Sequence, residues 1–339
     1  VVMDMFGNLI CCTSSPSFDS NKFTYGMNED EFKSLQSDER KPLINKALTS
    51  TYPPASTIKM LVALSALENK IITKNFRHTC EGKVELYEQD YHCWKEKGHG
   101  RIGLHDAIKQ SCDIYFYEVA RLLGIDRLNE TALKFGLGKK VFTNLIEETE
   151  GLMPSTMWKK RVLGKPWYLG ETMIAGIGQG YMKTTPIQLC KMIAQFANGG
   201  FEINPTFIET DKSNLTNKII NNDEDLKFLL NSLYEATNEP GGTSYASRIS
   251  GKLKFAGKTG TAQVKRITES ERDRDLKNKD LPWKFRDHSL FVGYGPTIKP
   301  KYAITVIVDH GGSGSAVAAP IARDIMKKIF EKEKLLNNV

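Results

Sequence analysis

Tyr52-Pro53-Pro54-Ala55-Ser56-Thr57-Ile58-Lys59 is the stretch whose reading decides the fold. Pro53 and Pro54 cannot occupy a helix interior, so a helix begins at or just beyond them. From Ile58 to Leu67 nearly every residue is apolar, including Met60, Leu61, Val62, Ala63, Leu64 and Ala66. A helix apolar on all sides lies buried at the centre of a domain. Ser56 and Lys59, three residues apart, share one face of its first turn. A lysine so placed must be neutral or paired, and a neutral lysine is a base. Alone, the tetrad also reads as a capping serine with a lysine reaching outward. Its meaning depends on partners elsewhere in the chain.

The totals fit an ordinary folded enzyme. A length of 339 residues allows one large domain or two smaller ones, and 40% apolar content provides a sizeable core. The formal charge of +7 is mild and scattered, so it calls for no nucleic acid, although an acidic polymer would be tolerated. No run of 18 apolar residues reads as a membrane span, and no stretch of these residues reads as a signal peptide. The opening Val1-Val2-Met3 reads as a strand already under way, so a piece of a longer protein is expected. Of the cysteines, Cys11, Cys12 and Cys190 read as buried small hydrophobes.

Taken in order, Val1 to Asp4 and Leu9 to Cys12 read as a hairpin. The Ser56 helix is expected to run to about Asn69, and Cys80 to Gly100 to be irregular. Leu104 to Leu123 reads as one buried helix, followed by a helix capped by Asp126 and ending at Phe135. Glycine-rich Gly164 to Pro186 reads as extended loop. Helices follow at Ile187 to Asn198 and Glu224 to Asn238. Leu253 to Gly257, Ser289 to Tyr294 and Tyr302 to Asp309 are strand-like, and Ala318 to Phe330 is a closing helix. The densely charged Lys265 to Asp287 reads as a long mobile connection between two strands. Strands at both ends with helices between predict one sheet built from the two termini, in an α/β or α+β domain.

Two further motifs supply the partners. Ser111-Cys112-Asp113 lies on the second buried helix, and Lys258-Thr259-Gly260-Thr261 follows the strand ending at Gly257. Ser-x-x-Lys, Ser-x-Asp and Lys-Thr-Gly in this order resemble the motif set of penicillin-binding proteins and class A β-lactamases. Tyr52-Pro53-Pro54, Gly178-Gln179-Gly180, Thr185-Pro186 and Ala318-Ala319-Pro320 extend the resemblance to class B penicillin-binding proteins. Trp94 and Gly98-His99-Gly100 resemble the elongation-type penicillin-binding protein 2. Asp113 departs from the asparagine of many relatives; an ionised aspartate accepts hydrogen bonds but cannot donate them.

The resemblance covers the whole chain and implies a transpeptidase domain over residues 1–339, with membrane anchor and pedestal lying outside it. It implies the penicillin-binding transpeptidase fold, an antiparallel sheet from both chain ends packed between helices. It also implies a D,D-transpeptidase that cross-links peptidoglycan stem peptides during wall elongation, trapped by β-lactam antibiotics. Ser56 would be the nucleophile and Lys59 its base, kept neutral by burial and by Lys258. Ser111 would relay a proton between Lys59 and Lys258. The N–H groups of Ser56 and Thr261 would form the oxyanion hole. Asp113, Thr259, Gly260 and Thr261 would line the substrate site. The implied setting is the periplasmic face of the bacterial inner membrane, with a membrane glycan polymerase and a periplasmic elongation scaffold as partners.

Cys80, Cys93, His99 and Cys112 follow the pattern Cys-x12-Cys-x5-His-x12-Cys, a complete tetrahedral set for structural Zn2+. Elongation-type relatives can carry zinc beside the active site, and Cys93, His99 and Cys112 align with its ligands. His78, Asp90 and His92 compete with Cys80 for the fourth place, and a Cys80–Cys93 disulfide is the alternative. Other functions also remain open: a D,D-carboxypeptidase, a serine β-lactamase using Glu171 as its base, or a non-catalytic penicillin-binding sensor. Gly178-Gln179-Gly180 and Thr185-Pro186 argue against the β-lactamase.

Overall fold

The chain was analysed in a computed structural model that describes residues 1–142, 145–208, 215, 217–265 and 278–336, with side chains to Glu333. Strands β1 (Val2–Asp4) and β2 (Leu9–Cys11) form the expected hairpin. The Asp4 carboxylate closes its turn by accepting from the backbone N–H groups of Phe6 and Asn8. Helices α1 (Ser20–Tyr25) and α2 (Glu29–Ser37), capped by Asp19 and Asn28, bury none of their residues. After the short α3 (Lys46–Thr49), a 3₁₀ turn over Ala55–Ile58 leads into α4 (Lys59–Glu68). Every residue of α4 from Lys59 to Leu67 is buried, as its all-round apolar surface requires.

The next segment is more regular than its composition suggests. Strands β3 (Arg77–Cys80) and β6 (Gly100–Gly103) pair with each other, and between them β4 (Lys83–Leu86) pairs with β5 (Gln89–His92). These ribbons are half exposed and polar, so no apolar alternation announces them.

The single helix expected over Leu104 to Leu123 is two, α5 (Leu104–Lys109) and α6 (Asp113–Leu123). Ser111 sits between them at φ +58°, and the Cys112 sulfur caps α6 by accepting from the Tyr115 N–H. The apolar period runs unbroken across the join, which hides it in the sequence.

Helix α7 (Ile125–Lys134) starts from Gly124; the Asp126 carboxylate instead accepts from the backbone and hydroxyl of Thr156. Helices α8 (Thr156–Leu163) and α9 (Leu169–Gly176) follow, the second inside the expected loop. The glycines there suggest loop, but Gly176 ends α9, and a Cβ on it would collide with Ala120 of α6, so glycine is what lets the two helices pack closely. Helix α10 (Pro186–Ala197) has the capping box of Thr185 and Gln188, and α11 (Asp223–Asn238) is capped by Asn222.

Strands β7 (Ala256–Ala262), β8 (His288–Gly295) and β9 (Tyr302–Val308) join the first hairpin in a five-stranded antiparallel sheet of order β2-β1-β9-β8-β7. The strand expected to end at Gly257 continues to Ala262, so Lys258 to Thr261 lie within it. Alternate side chains take opposite faces. Met3, Leu290, Val292 and Ala303 join the main core with α4 and α10, whereas Val2, Phe291 and Ile304 meet the closing helix α12 (Ala318–Leu336). The sheet from both termini is therefore packed between helices, as expected. Most of the charged connection, residues 266–277, lies outside the described residues.

Candidate active site

Three elements converge on Lys59. The proline pair brings the chain into the 3₁₀ turn, where Ala55 at φ +49° donates its N–H to the Gly178 carbonyl (2.8 Å). Ser56 follows, and the backbone N–H of Lys59 returns to the Ser56 carbonyl, so nucleophile and lysine share one turn. The Lys59 side chain is fully buried. Its Nζ donates to the Ser111 carbonyl (3.0 Å), the Ser111 hydroxyl (3.2 Å) and Asp113 Oδ1 (2.7 Å). The break between α5 and α6 makes this possible, because its left-handed residue turns a carbonyl and a hydroxyl toward one cation.

Asp113, expected at the substrate, has both carboxylate oxygens engaged elsewhere: Oδ1 with Lys59, and Oδ2 with the Trp94 N–H (3.0 Å). The Trp94 indole N–H reaches the carbonyls of Gln110 and Ser111, each at 3.1 Å. Trp94 thus holds the second motif from both sides, a role invisible in the sequence because half of it belongs to a backbone group.

Lys59 faces the Asp113 carboxylate. Lys258, fully buried on β7, has its amine pushed well below the ordinary lysine range, chiefly by burial and then by Lys59.

Strand β7 is the sheet edge facing the Ser56 turn. Gly260 lets it approach: a Cβ there would stand 3.0 Å from the Thr57 methyl and 3.3 Å from the Pro54 carbonyl. Glycine on this strand therefore serves packing against the nucleophile turn. The Thr261 carbonyl accepts from the Gln179 side chain (3.2 Å). In an antiparallel ladder a residue directs N–H and C=O to the same edge, so the Thr261 N–H also faces the cleft. Thr259 donates to the Thr243 hydroxyl (3.1 Å), and Thr261 Oγ1 accepts from the Gly314 N–H (3.2 Å). Glu171, the alternative base, is tied to Lys159 and to the Tyr168 N–H that starts α9.

Beside Trp94, Cys80, Cys93, His99 and Cys112 come together with all four donor atoms within 4.8 Å of one another. His99 Nδ1 lies 3.5 Å from the Cys80 sulfur and 3.6 Å from that of Cys93. Tetrahedral zinc with ordinary Zn–S and Zn–N bonds sets these atoms about 3.6 Å apart, so the spacing fits a metal. Cys93 is pulled down, first by its hydrogen bond with Cys112, and the same contact pushes Cys112 up. The cluster therefore favours a thiolate. The competitor Asp90 pairs with Lys83 (2.8 Å), and none of the six cysteines forms a disulfide.

Comparison with known proteins agrees with this geometry. Residues 1–327 match the family model of the penicillin binding protein transpeptidase domain, and the chain belongs to that family. It is 35% identical over 340 residues to the peptidoglycan D,D-transpeptidase MrdA of Salmonella typhimurium, covering 96% of this chain and 54% of that relative. A crystal structure of Pseudomonas aeruginosa penicillin-binding protein 2 with the compound WCK 5153 superposes with TM-score 0.83. Its identity is 35%, covering 96% of this chain and 69% of the other. The complex of the Helicobacter pylori protein with MreC gives TM-score 0.87 at 33% identity, covering 97% and 59%. The expected elongation-type resemblance is met. The chain spans about half the length of the curated relatives it matches.

Proposed function

We propose that the chain performs D,D-transpeptidation on peptidoglycan stem peptides through an acyl-enzyme on Ser56. The observation that carries this reading is the meeting of Lys59 with Ser111, one turn from Ser56 and opposite the edge of β7. Ser56 Oγ attacks the carbonyl of the penultimate D-Ala, the peptide bond breaks, and the terminal D-Ala leaves with a proton on its amine. An amine of a neighbouring stem peptide then attacks the ester, regenerating the Ser56 hydroxyl.

The charge pattern suggests how the base is freed. A substrate carboxylate arriving beside Lys258 offsets its burial and draws a proton to it by way of Ser111. Lys59 can then accept the Ser56 proton. The N–H groups of Ser56 and Thr261 hold the developing oxyanion, while Thr259 and Thr261 with Lys258 hold the carboxylate. Asp113 orients Lys59.

Intact mass after penicillin treatment tests the reading. The expected result is one long-lived adduct, lost in Ser56→Ala. Rapid hydrolysis of the adduct would support a β-lactamase instead, and the absence of any adduct would sink both.

Cys80, Cys93, His99 and Cys112 are assigned to structural zinc. With four protein ligands it would offer no open position for chemistry, and would tie the ribbons to the start of α6. Periplasmic residence at the inner membrane belongs to the same proposal, as do a glycan polymerase partner and a scaffold such as MreC. Among the described residues, no helix is long and apolar enough to cross a membrane.

A further inference from the structure

Ser111 and Lys258 sit on separate elements, so a proton passes between them only if those elements keep a fixed separation. Helix α11 packs against both α5 and β7. On the first side its Glu235 pairs with Lys109 (3.4 Å). On the other, Asn238 donates to the Phe255 carbonyl (3.0 Å), and the Thr237 hydroxyl accepts from the Gly257 N–H (3.0 Å). These ties stop one residue short of Lys258.

The next contact comes from the turn that follows α11. Buried Ser244 returns its N–H to the Ala236 carbonyl (3.0 Å) and its hydroxyl to the same oxygen (3.1 Å), which holds the turn against the helix. Thr243, just before it, spans the gap. Its N–H donates to the Lys109 carbonyl (3.3 Å), two residues before Ser111. Its hydroxyl accepts from the Thr259 hydroxyl (3.1 Å), beside Lys258.

Both ends of this span are stiff. The N–H groups of Gln110 and Ser111 return to the carbonyls of Asp106 (2.8 Å) and Ile108 (3.2 Å), so Ser111 cannot swing freely about Lys109. Lys258 Nζ donates to the Thr259 carbonyl (3.4 Å), so the lysine is tied to the residue that Thr243 holds. Any residue but proline could supply the N–H to Lys109. Only the hydroxyl is particular to threonine or serine at this place.

We infer that Thr243 is a positioning residue for acylation, setting the separation of Ser111 and Lys258 through its paired contacts with Lys109 and Thr259. It acts through these neighbours. The inference rests on the acyl-enzyme reading and adds to it the device that holds the second and third motifs in register.

Stopped-flow acylation by a fluorescent penicillin tests it, because the rate constant for acylation separates from the dissociation constant of the first complex. Thr243→Val keeps the volume and the backbone N–H but cannot accept from Thr259. Its acylation rate constant should fall about tenfold, with the dissociation constant within about twofold of the unaltered value. Thr243→Ala removes the same bond and should be as slow. Thr243→Ser restores the acceptor and should return the rate to within about threefold. An unchanged rate in Thr243→Val, or a serine variant as slow as valine, would overturn the assignment. So would a loss confined to the dissociation constant, which belongs to a binding residue. The amplitude counts competent protein separately; a variant that merely folds poorly loses amplitude and keeps its rate, and that result also overturns it. The absence of any adduct on unaltered protein removes the acyl-enzyme reading, whereas adducts formed at equal rates by all variants remove the role of Thr243 alone.

Discussion

At the residue scale, Asp113 joins the second motif to the first. Lys59 has no exposed surface, and the Asp113 carboxylate is its only charged partner among the contacts described. Removing one member of a buried pair leaves the other uncompensated, so Asp113→Ala should destabilise the protein by about 3 kcal/mol in urea denaturation. Asp113→Asn should lose less, because an amide oxygen still accepts the Trp94 N–H. Equal losses would mean that the Trp94 contact contributes nothing. Ser56, Lys59, Ser111 and Lys258 were legible as three ordered motifs, because each needs a particular side chain. The pairing of Lys59 with Asp113 was not, because it depends on where that carboxylate points.

At the element scale, the site depends on how closely β7 lies against the Ser56 turn. Gly260→Ala inserts a methyl 3.0 Å from that of Thr57, and the turn or the strand must give. Penicillin acylation should fall at least about tenfold, since small misplacements in an active site are costly. Thr57→Ser removes the opposing methyl and keeps the hydroxyl that donates to the Pro54 carbonyl; combined with Gly260→Ala it should restore most of the rate. Failure of that rescue would show that Gly260 acts in some other way.

The metal assignment belongs to this scale too. Chelation of the native protein should release one zinc ion by native mass and lower the melting temperature by at least about 4 °C. If no zinc is released, the assignment fails. Regular elements with an apolar face, such as α4, α10 and β9, were readable from periodicity. The β4–β5 ribbon and α9 were not, since one has little buried face and the other contains glycines chosen for close packing.

At the scale of the whole molecule, the sheet ties the two ends of the domain together: the Val1 backbone nitrogen donates to the Thr305 carbonyl, and β1 pairs with β9. That closure was legible because strand-like segments lie at both ends and helical ones between. Its acid stability has a source the sequence hid, at the start of β8. His288 packs edge-on to Tyr52 at 5.1 Å, and its ring centre is 4.6 Å from that of His310. Its Nδ1 accepts from the His310 backbone N–H, which requires that nitrogen to be unprotonated. Burial first, then His310, push His288 down to about 4; Lys183 adds to the shift, and the opposing pull of Asp309 does not reverse it.

An unfolded histidine titrates near 6.5. Between about pH 6.5 and 4 the unfolded chain therefore binds a proton that the folded one refuses, and stability must fall as the pH is lowered through that window. Above it, the neutral ring's contribution is fully present. The loss should be on the order of 2 kcal/mol, allowing for partial solvent access. It would be read as a falling urea midpoint across the window. His288→Gln, which cannot titrate, should flatten that part of the curve while leaving the carboxylate-driven loss at lower pH. An unchanged slope in the variant would place the acid sensitivity elsewhere in the molecule.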